Sequence, residues 1–281
     1  MPRLQRKTPS LYALIGLGTL CCLQTGTSGI AGAAANSVDL KSSYQATIAA
    51  TSAKETLNEV VDAGGKRVAI NGSGVADAHG NGSFTLHTDG QTIAMVLDNG
   101  VLYMKVPPSS AGALGVTTPW ISFDLSALEQ ATLGQSYAQL VSESQQGPSQ
   151  SLAILQTASS TGVRKVGTAS LFGTHTTEYR TTVDLSKLGA ASGKPALAPA
   201  IAQFETQYHV SSIPLEVWID SHKRVRRLVE DIKVPTSGSK HASSVSITVN
   251  ITAFDVPLNI TPPPAGQSTD ETQKAITSSQ T

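Results

Sequence analysis

Cysteine is almost missing from this 281-residue chain: Cys21 and Cys22 are the only two, both near the N-terminus. The body therefore has no disulfide, no thiol nucleophile and no Cys metal ligand. Charge is scarce too, at 14% of residues, and balanced, with 20 Lys+Arg against 20 Asp+Glu. Without a basic surplus nothing drives counterion release, so nucleic acid is excluded as a partner. Long apolar runs are lacking as well. The apolar, uncharged stretch near the N-terminus, Leu11–Leu23, reaches only about 20 Å as a helix, short of a hydrocarbon core of about 30 Å.

Catalytic and metal motifs are equally thin. His79, His87, His175, His209, His222 and His241 include no pair at HExxH spacing and have no Cys beside them, so no metal site is expected. There is no Gly-x-Ser-x-Gly elbow and no Walker-type loop. Glu230 and Asp231 are neighbours on an expected strand and point to opposite faces, which disqualifies them as an acid–base pair. No cofactor site and no enzymatic activity are expected.

What is present begins with an export signal. Arg3, Arg6 and Lys7 precede the apolar run, the pattern of a secretory signal over residues 1–35. Two processing routes fit. Ala33-Ala34-Ala35 offers small residues for cleavage after Ala35; alternatively Cys22 or Cys21 is lipidated and becomes the first residue, although Leu20 and Cys21 depart from the small residue a lipobox places before it. Either route exports the protein. Removing residues 1–35 leaves 17 Lys+Arg against 20 Asp+Glu, a net charge of −3.

Behind the signal, Ser42–Ala63 lacks Gly and Pro and carries Tyr44, Ile48, Leu57, Val60 and Val61, which predicts an amphipathic helix ended by Gly64-Gly65. The period then drops to two. Arg67–Asp77, Ser83–Thr88, Thr92–Leu97 and Val101–Val106 read as a meander, with hairpin signals at Asn81-Gly82, Asp89-Gly90 and Asn99-Gly100. Trp120–Asp124 follows as a fifth strand. Helical spacing marks Ser126–Leu133, Ser136–Gln145, Pro148–Ala158 and Pro195–His209. Five further strands are expected: Val163–Leu171, Thr176–Asp184, Pro214–Asp220, Val225–Val234 and Ser244–Asp255. Residues 261–281 read as a disordered polar tail. The sum is an α+β domain of about ten antiparallel strands.

Alternation puts Phe84, Leu86, Ile93, Met95, Leu97, Leu102, Met104, Ile121 and Phe123 on one face, which helices must cover. The basic run Lys223-Arg224-Val225-Arg226-Arg227 stands out in a charge-poor chain. It reads either as a solvated hairpin edge or as a patch for anionic head groups. The Asn-x-Ser/Thr triplets at Asn71, Asn81, Asn250 and Asn259 read as turn and strand residues.

Several blocks in order carry a resemblance: Pro119-Trp120-Ile121-Ser122-Phe123-Asp124-Leu125-Ser126, Val166-Gly167-Thr168 with Thr176-Thr177-Glu178-Tyr179-Arg180, and Ile213-Pro214-Leu215-Glu216-Val217-Trp218-Ile219-Asp220 with Arg224-Val225-Arg226-Arg227-Leu228. With the ending Phe254-Asp255 and Pro262-Pro263, they make the chain similar to the actinobacterial LppX/LprG-type cell-envelope lipoproteins. Their fold resembles LolA and the sensor domain of RseB. The resemblance implies, for residues 36–260, an antiparallel half-barrel with helices over its concave apolar face and a cavity for acyl chains. Phe84, Leu86, Ile93, Met95, Leu102, Met104, Ile121, Phe123 and Trp218 would line the cavity, and Lys223, Arg224, Arg226 and Arg227 would meet head groups or the membrane surface. It further implies an extracytoplasmic protein, lipid-anchored or secreted, that carries acylated lipids or lipoproteins, with an envelope transporter or acceptor as a partner. The alternative is an envelope sensor or interaction domain of the same fold.

Overall fold

The structure, a computed structural model, describes residues 38–63, 66–88, 90–128, 152, 154–155, 162–186, 202, 205–206, 209–234 and 243–279. The expected signal, with Cys21 and Cys22, lies outside the described residues. So does nearly all of the expected helical sequence at 129–158 and 195–208.

Helix α1 (Leu40–Ile48) leads into β1 (Ser52–Ala63), β2 (Lys66–Asp77), β3 (Gly82–Thr88), β4 (Gln91–Asp98), β5 (Val101–Lys105), α2 (Pro108–Leu114) and β6 (Trp120–Asp124). A second series follows: β7 (Arg164–Leu171), β8 (Thr174–Asp184), β9 (Ser212–Asp220), β10 (Val225–Val234) and β11 (Ser243–Phe254). The described chain ends with β12 (Ser268–Asp270) and an eight-residue helix, here α3 (Thr272–Ser279). All twelve strands form one open sheet in the order β12-β6-β5-β4-β3-β2-β1-β11-β10-β9-β8-β7. Each series is a meander, and β1 pairing with β11 welds the two. Among the described strands only the β12–β6 pair is parallel.

The sharp turns follow from backbone chemistry. Asn99 and Gly100 have φ of 49° and 79°, the positive pair a two-residue hairpin needs to match strand twist. Phe172-Gly173 does the same at 53° and 76°, with a bulky residue where Asn or Gly is usual.

Two expectations are corrected. The helix expected over Ser42–Ala63 stops at Ile48, and Ser52–Ala63 is a central strand paired on both sides. Its alternation was hidden because Glu55 and Glu59 occupy positions on the same face as Leu57 and Val61. The tail is also structured. Ser268–Asp270 extends the sheet beside β6, and α3 buries Ala275 against the cluster of Val106, Val116, Ile121 and Phe123. Three polar residues are enough for β12, because its ladder is made of backbone groups and Thr269 shares a 2.6 Å hydrogen bond with Thr118.

One face of the sheet, called inner below, carries the main core. Leu40 and Tyr44 of α1, with Leu152, Ile154 and Leu155, pack on Val183, Leu215, Val217, Ile219, Val225, Leu228 and Ile251. Thr47 fastens α1 to β10, its hydroxyl accepting from the Val225 N–H at 2.8 Å and donating to the Ser43 carbonyl. The second cluster closes the far end of the sheet over β5 and β6, with Leu102, Met104, Ala111 and Leu114 packed against it.

Candidate functional site

Side chains directly opposite on paired strands share a face, so the register places each candidate. Phe84 faces Met95, Met95 faces Met104, and Met104 faces Ile121. Leu97 faces Leu102, which faces Phe123, while Leu86 faces Ile93. Eight of the nine cavity candidates therefore share the inner face. The stripe continues across β2, β1 and β11 through Val68, Ile70, Leu57, Val61 and Ile247. Ile70, Ile93, Ile121 and Phe123 are buried, whereas Leu57, Val61, Val68, Phe84, Leu86, Met95, Leu97 and Ile247 are only half-buried and belong to neither cluster.

Glycine shapes the middle of this stripe. Gly72 and Gly74 of β2 hold inner-face positions opposite Leu86 and Phe84. A β-carbon at Gly72 would strike the Leu86 side chain, and one at Gly74 would strike the Phe84 ring. Both side chains thus lie down across β2 instead of standing off the sheet. The floor is flattened where a ligand could rest.

Trp218 is the exception and corrects the expected lining. It lies between Val217 and Ile219, both in the main core, so it points to the opposite, outer face. There the Arg227 guanidinium sits 5.4 Å from the Trp218 ring and 6.0 Å from Phe172. Arg227 Nε donates to Asn250 Oδ1 at 2.6 Å, and Asn250 Nδ2 donates to Thr56 Oγ1. Alternation alone could not separate Trp218 from its neighbours, because Val217, Trp218 and Ile219 are all apolar and all buried.

The basic run divides just as sharply. Arg226 is only 7% exposed, and its Nε donates to Asp220 Oδ2 at 2.9 Å. It is no free head-group contact, a second correction. Arg224 donates to the same oxygen at 3.3 Å, and its guanidinium and that of Arg226 lie 4.3 and 4.6 Å from the Phe254 ring. Asp220 Oδ1 accepts the backbone N–H groups of His222 and Arg224. Burial opposes the charge on Asp220, but the Arg224 N–H, the Arg226 hydrogen bond and the two guanidinium charges outweigh it. The carboxyl is held below the usual carboxylate range. Lys223 stands exposed at the hairpin tip with φ 64°. Of the four cations, Lys223 is the one in the open; Arg224 and Arg227 are partly covered.

Sequence reasoning missed a further feature of the inner face. Glu59 of β1 and Glu230 of β10 both sit opposite Ile247 of β11. Their other cross-strand neighbours are Ile70 and Leu215. Apolar surroundings strip hydration from both. The Glu230 carboxyl is pushed up to about 7, and that of Glu59 is raised in the same direction. A legible signal existed: Leu228, Glu230 and Ile232 alternate with Val229 and Asp231, which places Glu230 among the core positions.

Among the described residues no three His, Cys, Asp or Glu side chains are grouped to hold a metal, and no helix is long and apolar enough to cross a membrane. No protein-family profile matches the chain, and no curated protein matches it. Solved structures do. The chain is similar to the lipoprotein LppX of Mycobacterium tuberculosis at 15% identity and TM-score 0.48, over 79% of this chain and 98% of that one. It is similar to LprF of Mycobacterium bovis at 15% identity and TM-score 0.43, over 81% and 95%. A LolA superfamily protein of Nitrosomonas europaea is similar at 8% identity and TM-score 0.31, over 79% and 96%.

Proposed function

We propose that the half-buried inner face of β1–β5 holds the acyl chains of a lipid or lipoprotein, and that the protein is a non-enzymatic carrier in the cell envelope. One observation supports this reading above the rest: between two closed clusters, the apolar stripe over β1–β4, with Leu57, Val61, Val68, Phe84, Leu86, Met95 and Leu97, belongs to neither. Such a surface at the centre of a sheet is a recognised mark of a binding groove. Each CH₂ transferred to it contributes about 0.8 kcal/mol, so affinity needs no specific chemistry. Met95 and Met104 suit chains of irregular shape. Head groups would remain at the rim, with Lys223 as an exposed cation for an anionic surface.

A second reading, an envelope sensor or interaction domain, is favoured by one specific feature. Strand β7 is the sheet's edge among the described strands, Val166 on it is 39% exposed, and Phe172 at its hairpin is 48% exposed. An edge of this kind can accept a partner's strand.

Native mass spectrometry of the protein purified from its own envelope, beside a lipid extract, separates the readings. Near one acyl lipid per chain is the expected result, reduced several-fold by Met104→Asp in a folded variant. An empty chain with a stoichiometric protein partner would sink the carrier reading in favour of the sensor.

A further inference from the structure

One row of directly opposed residues crosses the middle of the inner face: Thr88, Ile70, Glu59, Ile247, Glu230, Leu215 and Thr181, from β3 to β8. Two acids stand in it with Ile247 between them, two strand spacings or about 10 Å apart. Among the described residues neither carboxylate has a hydrogen-bond or ion-pair partner.

Among the described residues the groups facing them are nearly all uncharged. Leu57, Val61, Val68, Val245, Val249, Val217, Leu228 and Ile232 surround the row on β1, β2, β11, β9 and β10. Among the described residues the titratable groups on this side are Glu55, four residues along β1 and buried, with Tyr179 of β8 and Tyr44 of α1. The cations whose register turns them to this side among the described strands are Lys66, Lys165 and His175. All three are exposed: Lys66 lies at the end of the β1–β2 hairpin, and the other two on the β7–β8 hairpin at the sheet's margin. None is within one strand of Glu59 or Glu230 at their level of the sheet.

We propose that Glu59 and Glu230 gate the acyl site by protonation: neutral, they complete an apolar floor that takes chains; ionised, they hold water on the floor and release them. This rests on the acyl-binding reading of the same face. The physical cause is the cost of drying an unpaired carboxylate, which a bound chain imposes and a protonated carboxyl largely avoids. Burial pushes Glu230 up to about 7, which brings its transition into the neutral range, and displaces Glu59 in the same direction. A chain that excludes more water raises both further, so binding takes up protons and affinity must rise as pH falls. A carrier built this way would load in an acidic setting and unload in a more alkaline one.

The test uses the full mature chain and N-phenyl-1-naphthylamine, an apolar probe that stays uncharged over the range studied. Dissociation constants are measured at half-unit steps from pH 5.5 to 8.5, with circular dichroism confirming the fold at each. The wild type should bind about tenfold tighter at pH 6 than at pH 8, since uptake of one proton per ligand changes affinity by at most tenfold per pH unit. The Glu59→Gln/Glu230→Gln variant should bind tightly throughout, with a flat profile. Binding that is independent of pH in the wild type, or a slope that survives in the double variant, would overturn the gate while leaving the acyl site standing. No binding by either protein at any pH would overturn the acyl site itself, and the gate with it.

Discussion

The inner face of the sheet is built in two ways. Under β8–β10 it is shut: Leu215, Val217, Val225 and Leu228 are at most 1% exposed beneath α1 and Leu152, Ile154 and Leu155. Under β1–β4 the same face, in continuous register and with equally apolar residues, leaves Leu57, Phe84, Leu86 and Met95 half-buried. The shut region uses branched aliphatic chains buried against one another in a single cluster. The open region has glycines that let Leu86 and Phe84 lie flat, and it has Glu59 without a partner among the described residues; Glu230, on β10, stands where the two regions meet. A fold of this size can be stabilised by one closed part of its sheet and can leave the rest available to ligands.

The comparison breaks first at Asp220. Its side chain is fully buried and holds Arg226 and Arg224 at the end of the shut region. Asp220→Ala leaves the Arg226 guanidinium buried without its carboxylate, and should cost about 3–5 kcal/mol in denaturant unfolding. Loss of less than 1 kcal/mol would mean that the shut region is not held there.

A matched pair sharpens it. Leu228→Ala in the shut region should cost about 3–5 kcal/mol, through lost transfer energy and a cavity that cannot collapse. Met95→Ala in the open region should cost about 1 kcal/mol, because its site is already half-exposed. Equal losses in urea melts would erase the distinction between the two regions.

A third effect concerns Glu230 and depends on pH. Its folded pKa, about 7, lies above the ordinary 4.5, so the folded state binds its proton more tightly than the unfolded state. The resulting cost to stability is absent below about pH 4.5, grows as pH rises, and is complete above about pH 7. Glu230→Gln should therefore stabilise the protein at pH 8, on the order of 2 kcal/mol, and leave it unchanged at pH 4.5. Thermal melts at the two pH values check this, and a gain of equal size at both would assign the effect to packing instead of charge.

Much of the architecture was legible. Asn99-Gly100 announced its hairpin, and the ten expected strands match observed ones to within two residues at either end, because alternation and turn chemistry are local. Eight cavity candidates share a face as expected, since period two fixes sidedness once a strand is recognised. The misses have physical reasons. Strand β1 was disguised by Glu55 and Glu59 at inner positions, so the residues that matter most to the proposed gate hid the strand that carries them. The side of Trp218 is not legible in the sequence, because three successive apolar residues erase the alternation. Arg226 reads as a surface cation in the sequence because its partner Asp220 lies across a hairpin bulge between Val225 and Arg227, which no periodicity records.

By itself the sequence determined what short-range chemistry controls: strand-forming runs, positive-φ turns, a domain without cysteine, and the sidedness of each hairpin. Tertiary structure alone decided the pairing of β1 with β11, which joins the two meanders and sets Glu59 and Glu230 on either side of Ile247. It also decided which part of the apolar face is shut and which is left half-buried. Those outcomes depend on contacts between residues nearly two hundred positions apart, and the solvation of a carboxylate is a property of everything packed around it.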